Sequence, residues 1–178
     1  MLAVFLLILG GILQCGGNFA SDQVKVQLSA QKITMPPNTG NPKATAEVLS
    51  FFKANGNKIM TTRKQAQMHA DHFIAFHLSA APTYADASGA NRAAAGALAA
   101  DPTNTELKSK AASASAIVET VFKGASLRGM LLNAFAFGTL GEIALVASYV
   151  TFGGGILFLI LALLGFAHLR RVETDSII

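Results

Sequence analysis

The sequence predicts a mainly α-helical membrane protein, with a transmembrane helix near each end and a small, mostly helical polar domain between them. Three observations predict it. Hydrophobic residues make up 52% of the 178 and charged residues only 13%, with a mean hydropathy of +0.45; soluble domains carry roughly a quarter charged residues. The deficit is local: residues 2–20 hold no charge and 129–169 hold one, Glu142, whereas 21–128 hold 12 of the 14 Lys/Arg and seven of the ten Asp/Glu. The second apolar run then stops at Arg170-Arg171, a basic pair of the kind retained on the cytoplasmic side. The expected parts are a transmembrane helix at 1–20, an extracytoplasmic domain at 21–128, a second transmembrane helix at 129–169 whose first turns protrude, and a cytoplasmic tail at 170–178.

The first segment, 3–20, reads AVFLLILGGILQCGGNFA. As a helix it rises ~27 Å, enough to cross the hydrocarbon core. A cleaved signal peptide would carry a basic residue ahead of the apolar run, and only Met1 stands there. A lipoprotein signal would place a small residue before Cys15, and Gln14 occupies that position. A retained helix is the expectation. Cys15 is the only cysteine, so no disulfide forms within one chain.

Past Ala20, Val24, Val26, Leu28 and Ala30 alternate with Lys25, Gln27 and Ser29, the period of a short half-buried strand or extended stalk. Pro36-Pro37-Asn38-Thr39-Gly40-Asn41-Pro42 breaks the chain. A helix is predicted over 43–54, with Val48, Phe51 and Phe52 on one face and Asn55-Gly56 as its stop. Thr62-x-x-Gln65 has the form of a capping box opening a second helix over 63–79. The Ala/Gly-rich stretch 87–100 reads as loose or weakly helical, and Asp101-Pro102 as an N-cap followed by proline at the first helical position.

From Leu131 to Leu169 the chain is apolar except for Asn133, Glu142 and a few hydroxyls. Two spans would need a hairpin at Thr151–Gly155, where no Pro, Asn, Asp or charge stands to hold it in water. One helix is expected, crossing the membrane at about 143–169. Gly153, Gly154 and Gly155 then give a thin backbone for helix packing, with Gly10 and Gly11 of the first span as a matching notch. Glu142 is the one acid in the run, costly if buried in lipid and ordinary if at the headgroups.

Candidate chemistry is sparse. His69, Asp71, His72 and His77 share one predicted helix, and residues three apart such as His69 and His72 lie on one side of it. Ligands spread along a single helix do not close a tetrahedral metal site, so these are weak metal candidates. There is no phosphate loop, no Gly-x-Ser-x-Gly and no His-Glu-x-x-His. No cofactor is expected. The basic residues are scattered singly among acids rather than gathered into a stripe, which argues against nucleic acid.

Several short stretches resemble one group of small proteins: Gln27-Leu28-Ser29-Ala30-Gln31-Lys32-Ile33-Thr34, Ala66-Gln67, His77-Leu78, Thr83-Tyr84-Ala85, and Ala125-Ser126-Leu127-Arg128 leading into Phe135-Ala136-Phe137-Gly138. In these the chain is similar to uncharacterised actinobacterial two-span membrane proteins, many of which carry the label aromatic ring-opening dioxygenase. It departs from them in a shorter first span and an Ala-rich insertion near 87–113. The resemblance implies the two-span topology and the host group, and it implies no catalytic residue.

The functional expectation is a non-enzymatic cell-envelope protein, an accessory or structural subunit of a membrane assembly. Its partners would be membrane lipid and either further copies of itself or a larger membrane complex. The alternative is a metal-dependent or redox membrane enzyme using His69 and His72.

Overall fold

A computed structural model describes residues 1–175. The chain is mainly helical: α1 (Leu2–Ala30), α2 (Ala46–Asn55), α3 (Arg63–Met68), a π-helical turn (His69–Ile74), α4 (Ala75–Leu78), α5 (Tyr84–Ala100) and α6 (Thr105–Asp175). Among the described residues there is no strand; Thr34 and Ile59 make one isolated antiparallel bridge. The end of the expected cytoplasmic tail, 176–178, lies outside the described residues. Contacts divide the chain into two units, one of residues 1–25 with 137 onward and one of residues 26–136.

Two apolar helices are long enough to cross a membrane, Leu2–Ala30 and Thr105–Arg171. The second passes Thr151–Gly155 without a break, as expected of glycines held inside a helix rather than in a turn. The strand expected at 24–30 is overturned: those residues are the last turns of α1. Val24 and Leu28, four apart, are 6% and 2% exposed, whereas Val26 is 60% exposed. The alternation was a by-product of a helical face two residues wide, since positions 24 and 28 recur at the helical period as well as at period two. The extended segment comes later, where Met35 donates its N–H to the Lys58 carbonyl and Met60 to that of Ile33 (2.9 and 2.8 Å).

The 26–136 unit packs around Phe52, Met35, Met60 and Ala66, all fully buried, with Leu28 and Leu131 almost so. Its polar organiser is Gln65. The Thr62 hydroxyl accepts from the Gln65 N–H (3.2 Å), and Gln65 Oε1 accepts from the Thr61 and Thr62 N–H groups (2.8 and 3.0 Å). The amide nitrogen of the same side chain donates to Asn55 Oδ1 (3.0 Å), at the end of α2. The capping box therefore also joins two helices. Gly56 after α2 is required by space: a Cβ there would lie 2.7 Å from Pro37 Cα, and it is Asn57 that adopts the left-handed conformation, at φ 60°.

Two expectations about the region 84–107 are corrected. The Ala/Gly-rich stretch is ordered helix, α5, because alanine is the best helix former and Thr83 caps it: the hydroxyl accepts from the Asp86 N–H and donates to its carboxylate (3.2 and 2.6 Å). Asp101-Pro102 does not open the next helix. Asn104 does, accepting from the Glu106 and Leu107 N–H groups (3.0 and 3.1 Å), while Asp101 accepts from Thr103 and Asn104 in the turn before it. Asn104 wins because its oxygen faces two free N–H groups of the first turn.

Gln65→Ala removes three partners at once, taking from the Thr61 and Thr62 N–H groups their shared acceptor and from Asn55 its donor, which costs about 2 kcal/mol. Amide exchange at residues 62–68, followed by mass spectrometry on the full chain in mild detergent, is expected to quicken accordingly. Thr62→Ala, losing one bond, has about half that effect.

Candidate functional site

Within the unit formed by residues 1–25 and 137 onward, α1 and α6 pair antiparallel along one seam. Gly17 meets Gly141: a Cβ on Gly17 would stand 2.7 Å from the Gly141 carbonyl oxygen, and one on Gly141 would stand 2.7 Å from Ala20 Cβ. A turn further, the Ser148 hydroxyl, fully buried, lies 2.6 Å from Gln14 Oε1 and 2.7 Å from the Leu145 carbonyl oxygen, so one proton is shared between two acceptors. A Cβ on Gly10 would then stand 2.9 Å from both Thr151 and Phe152, and one on Gly155 2.9 Å from Leu7 and 3.3 Å from the Ala3 carbonyl. Such close backbone approach is how helices associate where no water drives them together.

The seam is a heptad. Ala3, Gly10 and Gly17 on one helix face Gly141, Ser148 and Gly155 on the other, every seventh residue in both, with Leu145 and Phe152 at the intervening positions of α6. A seven-residue repeat underwinds relative to 3.6 residues per turn and so favours a left-handed crossing. Of the glycines singled out from sequence, Gly10 and Gly155 leave no room for a Cβ, one on Gly154 would make an ordinary 3.7 Å contact with Leu6, and positions 11 and 153 face open space. Gly17 and Gly141 were not singled out. The seven-residue spacing from Gly10 and from Ser148 was the signal that would have found them. Glu142 is exposed next to this crossing, beside Ile143, Val146 and Ala147.

In the 26–136 unit the histidine helix opens into a π turn at its centre. Ala75 donates its N–H to the Ala70 carbonyl, five residues back, and Arg128 Nε of α6 donates to the same oxygen (3.2 Å). The Arg128 guanidinium also pairs with Asp71 at 3.0 Å. The Ala70 oxygen thus accepts two hydrogen bonds, one from Ala75 within the widened turn and one from Arg128. Asp71 is thus held by an arginine rather than turned toward a histidine. His69 is 6% exposed, its ring 5.1 Å from that of Phe73, and its Nδ1 is buried without a hydrogen-bond partner. Burial holds the His69 pKa below the usual histidine value. His72 is half-buried, and His77 Nδ1 lies 2.7 Å from the Phe73 carbonyl. Among the described residues no three His, Cys, Asp or Glu side chains form a group able to hold a metal, so His69, His72 and Asp71 are not brought together as a ligand set.

Compared with protein-family models, curated proteins and solved structures, the chain matches none.

Two outcomes follow from this geometry. Cysteines at positions 14 and 148, in a Cys15→Ser chain, are expected to form an intramolecular disulfide on mild oxidation. Adding Gly141→Leu is expected to abolish it, because the new side chain must displace Ala20 and the Gly17 backbone.

The second concerns pH. Burial lowers the His69 pKa in the folded chain below its value of 6.5 in the unfolded one, so below pH 6.5 the unfolded chain binds a proton more readily and stability falls as pH falls toward the folded pKa. Protection of residues 69–78 against amide exchange, corrected for intrinsic rates, is expected to drop between pH 7 and pH 5 by at most ~1.4 kcal/mol per pH unit. His69→Phe, which keeps a ring without a titrating group, removes that component.

Proposed function

We propose that this chain is a non-enzymatic membrane protein of the cell envelope, acting as a structural or accessory subunit through helix packing. Both ends are cytoplasmic and residues 21–128 are extracytoplasmic. The observation that carries this reading is the exposure of the apolar helices. In the most apolar 18-residue windows of α1 and α6 only 17% and 6% of residues are buried. A core helix of a soluble protein would be mostly buried, and from Ile156 to Leu169 large apolar residues are exposed on every side of α6, Leu164 at 62% and Phe166 at 67%. Water disfavours such a surface at roughly 25 cal/mol per Å², and lipid does not.

The charge pattern supports the orientation. Arg170-Arg171 closes the apolar run, and basic residues flanking a span are retained on the cytoplasmic side. An antiparallel α1 then returns the other end to the same side. The resemblance to actinobacterial two-span proteins agrees with this arrangement. The subunit role is supported by the sparse chemistry of the 26–136 unit: Asp71 is engaged by Arg128, and the buried His69 has aromatic company rather than fellow ligands.

Single cysteines at the exposed Ser109 and at Ser176 in the tail, in a Cys15→Ser chain, test the topology. On intact cells a membrane-impermeant thiol reagent is expected to label 109 and to reach 176 only after permeabilisation. Labelling at 176 without labelling at 109 would overturn the orientation, and release of the chain by alkaline carbonate would overturn membrane integration.

A further inference from the structure

We propose that Asn55 is a site of spontaneous modification, converted to aspartate and isoaspartate by attack of the Gly56 nitrogen, at a rate set by the hydrogen bond from Gln65. The chemistry is independent of whether the chain enters a membrane.

The reactive pair stands out in the sequence, because Asn55 is the only asparagine followed by glycine. At other asparagines the next side chain hinders approach of the backbone nitrogen to the amide carbon Cγ, and glycine has no side chain to do so. The Gly56 nitrogen gives up its proton and bonds to Cγ. The Cγ–Nδ2 bond then breaks, and Nδ2 leaves as ammonia with that proton. Water opens the resulting cyclic imide at one of two bonds. Cleavage between the nitrogen and Cγ gives aspartate. Cleavage between the nitrogen and the main-chain carbonyl carbon of residue 55 gives isoaspartate, whose backbone runs through the former side chain and is one carbon longer.

The fold both requires this dipeptide and holds it back. Glycine is needed at 56, where a Cβ would stand 2.7 Å from Pro37 Cα and 3.0 Å from the Phe52 carbonyl oxygen. The amide at 55 is used at both atoms: Oδ1 accepts from Gln65 Nε2 (3.0 Å) and Nδ2 donates to the Phe51 carbonyl (2.9 Å). Ring closure sets Cβ and the Gly56 nitrogen side by side about the Cα–C bond, an arrangement that a helical residue such as Asn55 does not have. The reaction therefore runs from a locally opened state in which Gln65 has released the side chain.

The products do not fit the site. Aspartate keeps an acceptor for Gln65 but has no N–H for the Phe51 carbonyl, and it places a negative charge at the C-terminal end of α2, where the helix dipole disfavours one. Isoaspartate lengthens the chain just ahead of Asn57, whose N–H donates to the Met35 carbonyl (2.8 Å), while Met35 donates to Lys58 (2.9 Å). Those two bonds lose their register.

The test incubates the full chain at mildly alkaline pH, folded in mild detergent and denatured in guanidinium, and follows every asparagine by peptide mapping. In the denatured chain Asn55 is expected to convert several-fold faster than any other asparagine. In the folded chain it remains the principal site but converts more slowly. Gln65→Ala is expected to raise the folded rate several-fold and leave the denatured rate unchanged. Thr62→Ala, which loosens the helix start but keeps the bond from Gln65 to Asn55, accelerates it less. Equal folded and denatured rates, faster conversion at another asparagine, no effect of Gln65→Ala, or an equal effect of Thr62→Ala would overturn the proposal. If Gln65→Ala does not fold, the parent chain's folded and denatured rates decide it.

Discussion

Where Gly17 passes Gly141, two helix backbones touch, and no side chain larger than hydrogen fits at either position. Most of the arrangement of residues 1–25 and 137 onward follows from that constraint. Backbone contact at one point and a seven-residue repeat on both helices leave a single register, which aligns Gln14 with Ser148 and Gly10 with Thr151 and Phe152. The polar pair refines the register more than it stabilises it. On the proposed membrane reading the bond contributes about 0.6 kcal/mol, the average between helices in lipid, because the separated helices find other partners. A slip of one residue would part Gly17 from Gly141 and leave the Gln14 amide against an apolar surface, which is costlier than losing the bond itself.

The length of the apolar run in α6 raises a related point. Residues 129–169 would rise ~60 Å as a helix, about twice the hydrocarbon thickness. The first third of that run is partly covered by protein, and the last is not. Leu131 is 1% exposed in the 26–136 unit, and Gly138 and Gly141 are buried in the other unit, so these positions serve protein contacts. Beyond Gly155 nothing in the described chain covers the helix. Hydropathy alone cannot distinguish the two, since a residue packed on protein and one facing lipid read equally apolar.

The legible parts of the sequence were those with a mechanism local in the chain. The Thr62 capping box, the helix before Asn55 and the single uninterrupted C-terminal helix each depend on neighbours within a few positions, and all three are present. The segment at 24–30 was misread because a short amphipathic helix end and a strand share their buried positions over five residues. The start of α6 was misplaced by three residues, between two candidate caps of similar chemistry. What stayed illegible was long-range. Arg128 reaches back 57 residues to Asp71, and no periodicity announces the bond or the π turn whose carbonyl it takes. The histidines looked like a cluster in sequence because helical spacing placed His69 beside His72. The fold instead turned His69 inward among apolar side chains and gave Asp71 to an arginine.

The core of the 26–136 unit has a consequence outside packing. Met35 and Met60 are fully buried and Met68 is 6% exposed, while Met130 is 63% exposed. Thioethers are oxidised in proportion to their access, and the sulfoxide is polar enough to disrupt an apolar core. In a fold kept closed, the exposed Met1 and Met130 would absorb oxidant first, and sulfoxide at Met35 or Met60 would appear only in chains that had opened. The three inner methionines therefore act as a chemical memory of unfolding: once oxidised they resist repacking, so a transient opening under oxidative stress becomes a lasting one.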